Sequence, residues 1–173
     1  DLAGAPGGPP LPDSLAVALP SYGETLRPSY AAVDGMADGK VLLLVQVVES
    51  GLNLDKPPAD GAHTGWPASP QARHERLLRD TGVAAGLLLN GVELRLCYAP
   101  RGESSGYLGF PIAEMCTVSG RPLLSALHML LSEHRVFGAP DKQRLLDLLA
   151  ESRKYQSEVS NRLAEQVLGA LWE

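Results

Sequence analysis

The stretch from Ser69 to Tyr98, SPQARHERLLRDTGVAAGLLLNGVELRLCY, limits the fold more than any other part of the chain. Ser69 carries the side-chain oxygen that a helix start needs, and Pro70 suits the first helical position, where a missing N–H costs nothing. Gln71 to Arg79 are strong helix formers, with Leu77 and Leu78 as apolar contacts near the end. Thr81-Gly82 predicts the stop, because glycine takes the left-handed conformation that helix ends often require. Val83 to Leu89 is a short apolar run that reads as a buried strand, and Asn90-Gly91 reads as a two-residue hairpin. Val92 to Tyr98 then alternates with period two, as a half-buried strand does.

The flanks are read in the same terms. Residues 1–20 open with the Pro/Gly-rich DLAGAPGGPPLPDS and show no periodicity, so they are expected to be a linker or irregular lead-in. The absence of an initiator Met makes the chain look like a piece of something longer. Pro28 breaks any helix between Tyr22 and Val33 and leaves Ser29–Val33 as a strand. The cluster 34–39 is a turn. Val41–Val48 is apolar on both faces, the pattern of a central strand covered on both sides. Gly51–Pro67 is a Pro/Gly/Asp-rich loop, long enough to be mobile or functional. After the loop Ala99–Gly106, Tyr107–Ile112 can form another strand.

Three helical segments are expected beyond it. One runs from Pro122 to about His134, with Leu123, Leu127, Leu130 and Leu131 as its stripe. A second starts at Pro140, with Leu145, Leu148 and Leu149 inward. The last, from about Glu151, places Val159, Leu163, Val167 and Leu171 at four-residue spacing, and that stripe needs a partner. The expected organisation is therefore a lead-in over 1–20, an α/β core over 21–118 and a helical extension over 119–173.

Composition narrows the function classes. The hydrophobic fraction of 45% and charged fraction of 20% are those of an ordinary soluble domain. The net charge of −5 and pI near 5.4 argue against tight autonomous DNA binding, since dedicated DNA-binding modules carry a basic face. A local basic strip, or DNA held by an attached domain, stays open. Cys97 and Cys116 have no metal-ligand spacing and read as buried, reduced thiols of a cytoplasmic protein. His63, His74, His128 and His134 are scattered, which speaks against zinc. No apolar run approaches the ~18–20 residues of a membrane span, and nothing resembles a signal peptide. A Walker loop and a Gly-x-Ser-x-Gly elbow are both missing.

The strings RHERLLRDTGVAAGLLLNGVELRLCYAPRGESSGYLGFP and ESRKYQSEVSNRLAEQVLGAL carry a resemblance. They are similar to the N-terminal region of large adenine-specific DNA methyltransferases of the type IIS/IIG restriction–modification kind, including methylases of DISARM-type phage defence. The resemblance covers roughly residues 19–173. It implies an α/β, PD-(D/E)xK restriction-endonuclease-like mixed sheet of about four or five strands, with flanking helices and the C-terminal helical extension. The Asp/Asn-Pro-Pro-Tyr/Phe motif and Gly-rich cofactor loop of such methyltransferases are lacking here. S-adenosylmethionine is therefore expected in a downstream methyltransferase domain of the same chain.

Nuclease chemistry of this kind needs an acidic residue at the start of one strand and Glu-x-Lys on the next. Two carboxylates hold Mg²⁺, which activates a water, while the lysine offsets the developing phosphate charge. By the resemblance, the first position is Ser29, after Pro28, and the second reads Gln46-Val47-Val48. Serine, glutamine and valine replace the carboxylates and the lysine, so the catalytic set is expected to be degenerate. Glu24, Asp34 and Glu49 flank these strands as candidates for a displaced site, or as solvated carboxylates. Gln71 matches a glutamine that lies near the active face and DNA backbone in related domains. Arg73, Arg76 and Arg79 lie three apart and could touch phosphate, or pair with Glu75 and Asp80. Arg101, in the RGESS loop, could approach nucleic acid or a partner domain.

The reading is thus a catalytically degenerate nuclease-like domain of a restriction–modification or phage-defence protein, positioning DNA or organising the assembly. An active Mg²⁺-dependent endonuclease domain is the first alternative. A protein-interaction scaffold without a nucleic-acid role is the second.

Overall fold

The computed structural model describes residues 1–35, 39–58 and 65–171. His63, the middle of the turn 34–39 and part of the loop 51–67 lie outside the described residues, as does the side chain of Leu171. The chain divides into two compact units, 1–127 and 128–173. This moves both boundaries expected from sequence: the lead-in belongs to the first unit, and the extension begins later.

The first unit is built on a six-stranded mixed sheet in the order β1-β4-β5-β6-β7-β8. The strands are β1 (Leu2–Ala3), β4 (Tyr30–Asp34), β5 (Lys40–Val47), β6 (Ala85–Leu89), β7 (Glu93–Tyr98) and β8 (Gly106–Pro111). A separate ribbon pairs β2 (Val17–Leu19) with β3 (Glu24–Leu26). Within the sheet only β5 and β6 run parallel, joined through helix α1 (Pro70–Thr81); every other neighbouring pair is antiparallel. The lead-in is therefore not an irregular linker. Leu2 and Ala3 pair with Ala32 and Ala31, and Leu15 and Leu19 are buried in the main core. Its backbone groups gain sheet partners, and its widely spaced leucines supply anchors without any period.

Helix α1 forms as its sequence dictates. The Ser69 hydroxyl accepts from the Ala72 N–H at 3.2 Å, Pro70 occupies the first turn, and Gly82 ends the helix at φ 78°. Leu77 and Leu78 are buried against the sheet-side core, where Leu44 and Leu88 are also fully buried. Adjacent residues Leu43 and Leu44 of β5 point to opposite faces and are both buried, which is the signature of a central strand.

The hairpin from β6 to β7 differs from its expected form by one residue. The Asn90 N–H donates to the Glu93 carbonyl at 3.3 Å, so Gly91-Val92 is the turn, with Asn90 flanking it. Only Gly91, at φ 74°, takes the left-handed region; Asn90 does not. The Asn90 carboxamide oxygen accepts from the Val92 and Glu93 N–H groups, at 3.0 and 2.7 Å, and its amide donates to the Leu52 carbonyl at 2.8 Å. The asparagine is thus a clamp between the hairpin and the following loop of β5, rather than a turn centre.

Past β8 come α2 (Ile112–Met115) and α3 (Arg121–Leu131), the latter spanning the boundary between the units. In the second unit a π-helical turn, His134–Gly138, precedes α4 (Leu145–Leu171). The two expected segments after Pro140 are one 27-residue helix. Pro140 does not start it, because Lys142 sits at φ 68° and interrupts helical geometry; its N–H is taken by the Asp147 carboxylate at 2.9 Å. No breaker separates Leu149 from Tyr155, so the helix runs through Glu151. No helix among the described residues is long and apolar enough to cross a membrane.

Candidate functional site in the cleft beside helix α1

The strand positions singled out by the nuclease comparison lie side by side. The Ser29 N–H donates to the Val45 carbonyl at 2.8 Å, and the Ser29 hydroxyl accepts from the Val47 N–H at 3.0 Å. Ser29 therefore faces the 45–47 segment across the β4–β5 pair, next to Gln46. Gln46 and Val48 both line a cleft of about 680 Å³ bounded by the end of β3, the end of β5, the loop that follows it and α1. The cleft is where the catalytic residues of a nuclease would stand, and its chemistry is different.

The set does not fit Mg²⁺. The Ser29 hydroxyl is engaged by backbone, Gln46 offers a neutral amide and Val48 offers nothing. The displaced-site candidates do not converge either. Glu24, on β3, accepts a bidentate ion pair from Arg73 and the Trp66 N–H at 2.9 Å, so it clips the 65–66 segment and α1 to the ribbon. Asp34 lies at the far end of β4, paired in register with Lys40. Glu49 alone lines the cleft. Among the described residues no group of three or more His, Cys, Asp or Glu side chains could hold a metal ion.

The arginines proposed from sequence for phosphate contact are committed elsewhere. Arg73 also donates to the Trp66 carbonyl at 2.8 Å. Arg76 pairs with Asp80 at 2.5 Å and Arg79 with Glu75 at 3.5 Å, each four residues apart on the helix. Arg101 donates to the Arg79 and Asp80 carbonyls, both at 2.5 Å, and so caps the C-terminal end of α1, where the exposed carbonyls favour a cation. Arg73 and Arg101 therefore serve the helix's own attachment and ending, a role their spacing did not reveal.

Gln71 is buried and does not face the cleft's strand positions. Its carboxamide donates to Glu75 at 2.9 Å, accepts from Arg95 at 3.3 Å and meets the Cys97 sulfur. Arg95 is the centre of this group. It is 5% exposed, forms a bidentate pair with Asp55 at 2.6 and 2.8 Å, donates to Glu93 at 3.1 Å and lies 4.2 Å from the Tyr107 ring centroid. The paired carboxylates keep the guanidinium charged, and hydrogen bonding from Arg95 holds the Asp55 carboxyl below the usual carboxylate range. Burial pushes the Cys97 thiol up to about 12, so it is inert. Cys116, expected to be buried as well, is exposed beyond β8.

His74 is the second feature the sequence did not disclose. It is 1% exposed, and both ring nitrogens are buried without a hydrogen-bond partner. Burial lowers its pKa to about 4, so the ring is neutral at physiological pH. Its ring packs against Gly86 on β6. A Cβ there would lie 2.5 Å from the His74 Nε2 and 2.9 Å from the Leu44 carbonyl oxygen, so glycine is required at that crossing.

No family model, curated protein or solved structure matches the chain. The site is accordingly read from its own chemistry. It comprises a cleft with apolar walls, a free-standing glutamine amide, a carboxylate at its edge and a neutral histidine in its floor.

Proposed function

We propose that this chain is a nuclease-like domain without cutting chemistry, belonging to a DNA restriction–modification or phage-defence methyltransferase. Its role is to organise the assembly around a downstream methyltransferase domain, where S-adenosylmethionine would bind. The observation that carries the reading is the adjacency of Ser29 and Gln46 on the β4–β5 pair, followed by a helical crossover that starts at Gln71. These are the PD-(D/E)xK positions implied by the resemblance, in a mixed sheet, with the carboxylates replaced.

Two features favour an organising role over DNA positioning. The arginines of α1 are held by Glu24, Asp80 and Glu75, which leaves little uncommitted positive charge on that helix. The far half of α4 exposes Val159, Leu163, Val167 and Leu168, each more than half accessible, as a docking helix for a neighbouring domain would.

The test is plasmid and oligonucleotide cleavage with Mg²⁺ and with Mn²⁺, by this chain and by its full-length parent. No cleavage by either, with methylation by the parent alone, is the expected result. Cleavage abolished by Glu24→Ala, Asp34→Ala or Glu49→Ala would instead establish an active Mg²⁺-dependent endonuclease with a migrated site.

A further inference from the structure

The cleft beside α1 has the dimensions and lining of a ligand site, independently of any nuclease ancestry. At about 680 Å³ it falls within the range of small-molecule pockets, which pair apolar walls with a few placed polar groups. Leu26, Val48, Leu52 and Leu77 supply the walls. Among the described residues, the Gln46 carboxamide makes no hydrogen bond within the protein, so a donor and an acceptor stand side by side at the cleft surface.

The charge of the lining limits what can enter. Arg73 is neutralised by Glu24, and the remaining ionised groups are one cation, Arg27, and one anion, Glu49. Arg27 is also drawn outward, 3.6 Å from Asp13. This balance disfavours a phosphate group in the cleft and favours an uncharged ring. The uncharged His74 ring beneath adds no positive charge.

We propose that the cleft binds an adenine base, either as a free nucleoside or as an unstacked base of a single strand. A glutamine carboxamide matches the adenine N6–H donor and N7 acceptor in a bidentate pair, a pairing that discriminates against other bases. The leucine and valine walls take the faces of the ring. The His74 nitrogens are closed off against the sheet and do not touch the base. The histidine is therefore a reporter of occupancy rather than a contact.

The test is an NMR titration of the chain with adenosine and, separately, with oligodeoxyadenylate, using uridine and oligothymidylate as controls. Saturable shifts at Val48 and Glu49 and in the His74 Cε1–H signal are expected with the adenine ligands only. Equal affinity for adenosine and oligodeoxyadenylate assigns the cleft to free nucleosides; tighter oligonucleotide binding assigns it to a base within a strand. Gln46→Leu should weaken adenosine binding about tenfold without moving the thermal midpoint. Leu52→Trp, which fills the cleft from the loop side, should abolish it. Absence of saturable shifts, equal response to uridine, or unchanged affinity in Gln46→Leu would overturn the proposal.

Discussion

Helix α1 and the far half of α4 are both amphipathic, yet one buries polar groups and the other exposes apolar ones. In α1, Gln71 and His74 are buried beside Leu77 and Leu78, because a sheet lies beneath and its strands supply partners or close contacts. In α4, Val159, Leu163, Val167 and Leu168 are 55–59% accessible. The comparison teaches that the amphipathic pattern only says which face can be covered. What covers it is decided by the tertiary neighbours, and that determines which residues stabilise the fold and which are available for assembly.

The largest expected contrast is in side-chain truncation. Leu78→Ala leaves a cavity under α1 and should cost about 2–5 kcal/mol in denaturant unfolding. Leu163→Ala, on an exposed face, should change stability by no more than about 0.5 kcal/mol. Comparable losses would break the distinction between the two helices.

His74 sharpens the same contrast through pH. Its folded pKa of about 4 lies below the unfolded value of 6.5, so between those values the unfolded chain binds a proton that the folded chain refuses. Stability from this group is fully present above pH 6.5 and falls as pH drops toward 4, by roughly 3 kcal/mol in all. Unfolding measured across that range should be flatter in His74→Leu; an unchanged pH profile would show that His74 is accessible to protons in the native state.

Gly86→Ala should destabilise by about 1–3 kcal/mol, since the new methyl meets the His74 ring and the Leu44 carbonyl. A neutral result would mean that α1 can lift from the sheet at no cost. The smallest effect is expected for Asp55→Asn, about 1 kcal/mol, because Asp55 is half exposed although its partner Arg95 is buried. The lowered Asp55 pKa adds stability above the ordinary aspartate range, which is lost as pH falls through the depressed value.

Much of the core was legible from local rules. Ser69, Pro70 and Gly82 mark α1 almost to the residue, and the two-faced apolar run marks β5 as central. The lead-in was not legible, because β1 and the leucines at 15 and 19 act through distant partners and leave no period. Strand β7 misleads in a more instructive way. Its alternating polar members, Arg95 and Cys97, suggest a solvent face, but α1 and the loop carrying Asp55 cover that face and satisfy the arginine. Gln71 reads as an ordinary helix-start residue for the same reason: its partners on β7 lie 24 and 26 residues away. The candidate site was legible as a set of replaced positions, but not as a cleft, since Pro70, His74 and Leu52 enter it from other elements.

The most direct measurement of the central claim restores the replaced set. A chain carrying Ser29→Asp, Gln46→Glu and Val48→Lys together would be titrated with Mn²⁺ and followed by paramagnetic broadening of its amide signals. If the β4–β5 pair retains a nuclease-like geometry, broadening should appear around residues 29 and 46–48 in the variant and not in the parent sequence. A folded variant without localised broadening would contradict the account, because the replaced positions would then not converge on a metal.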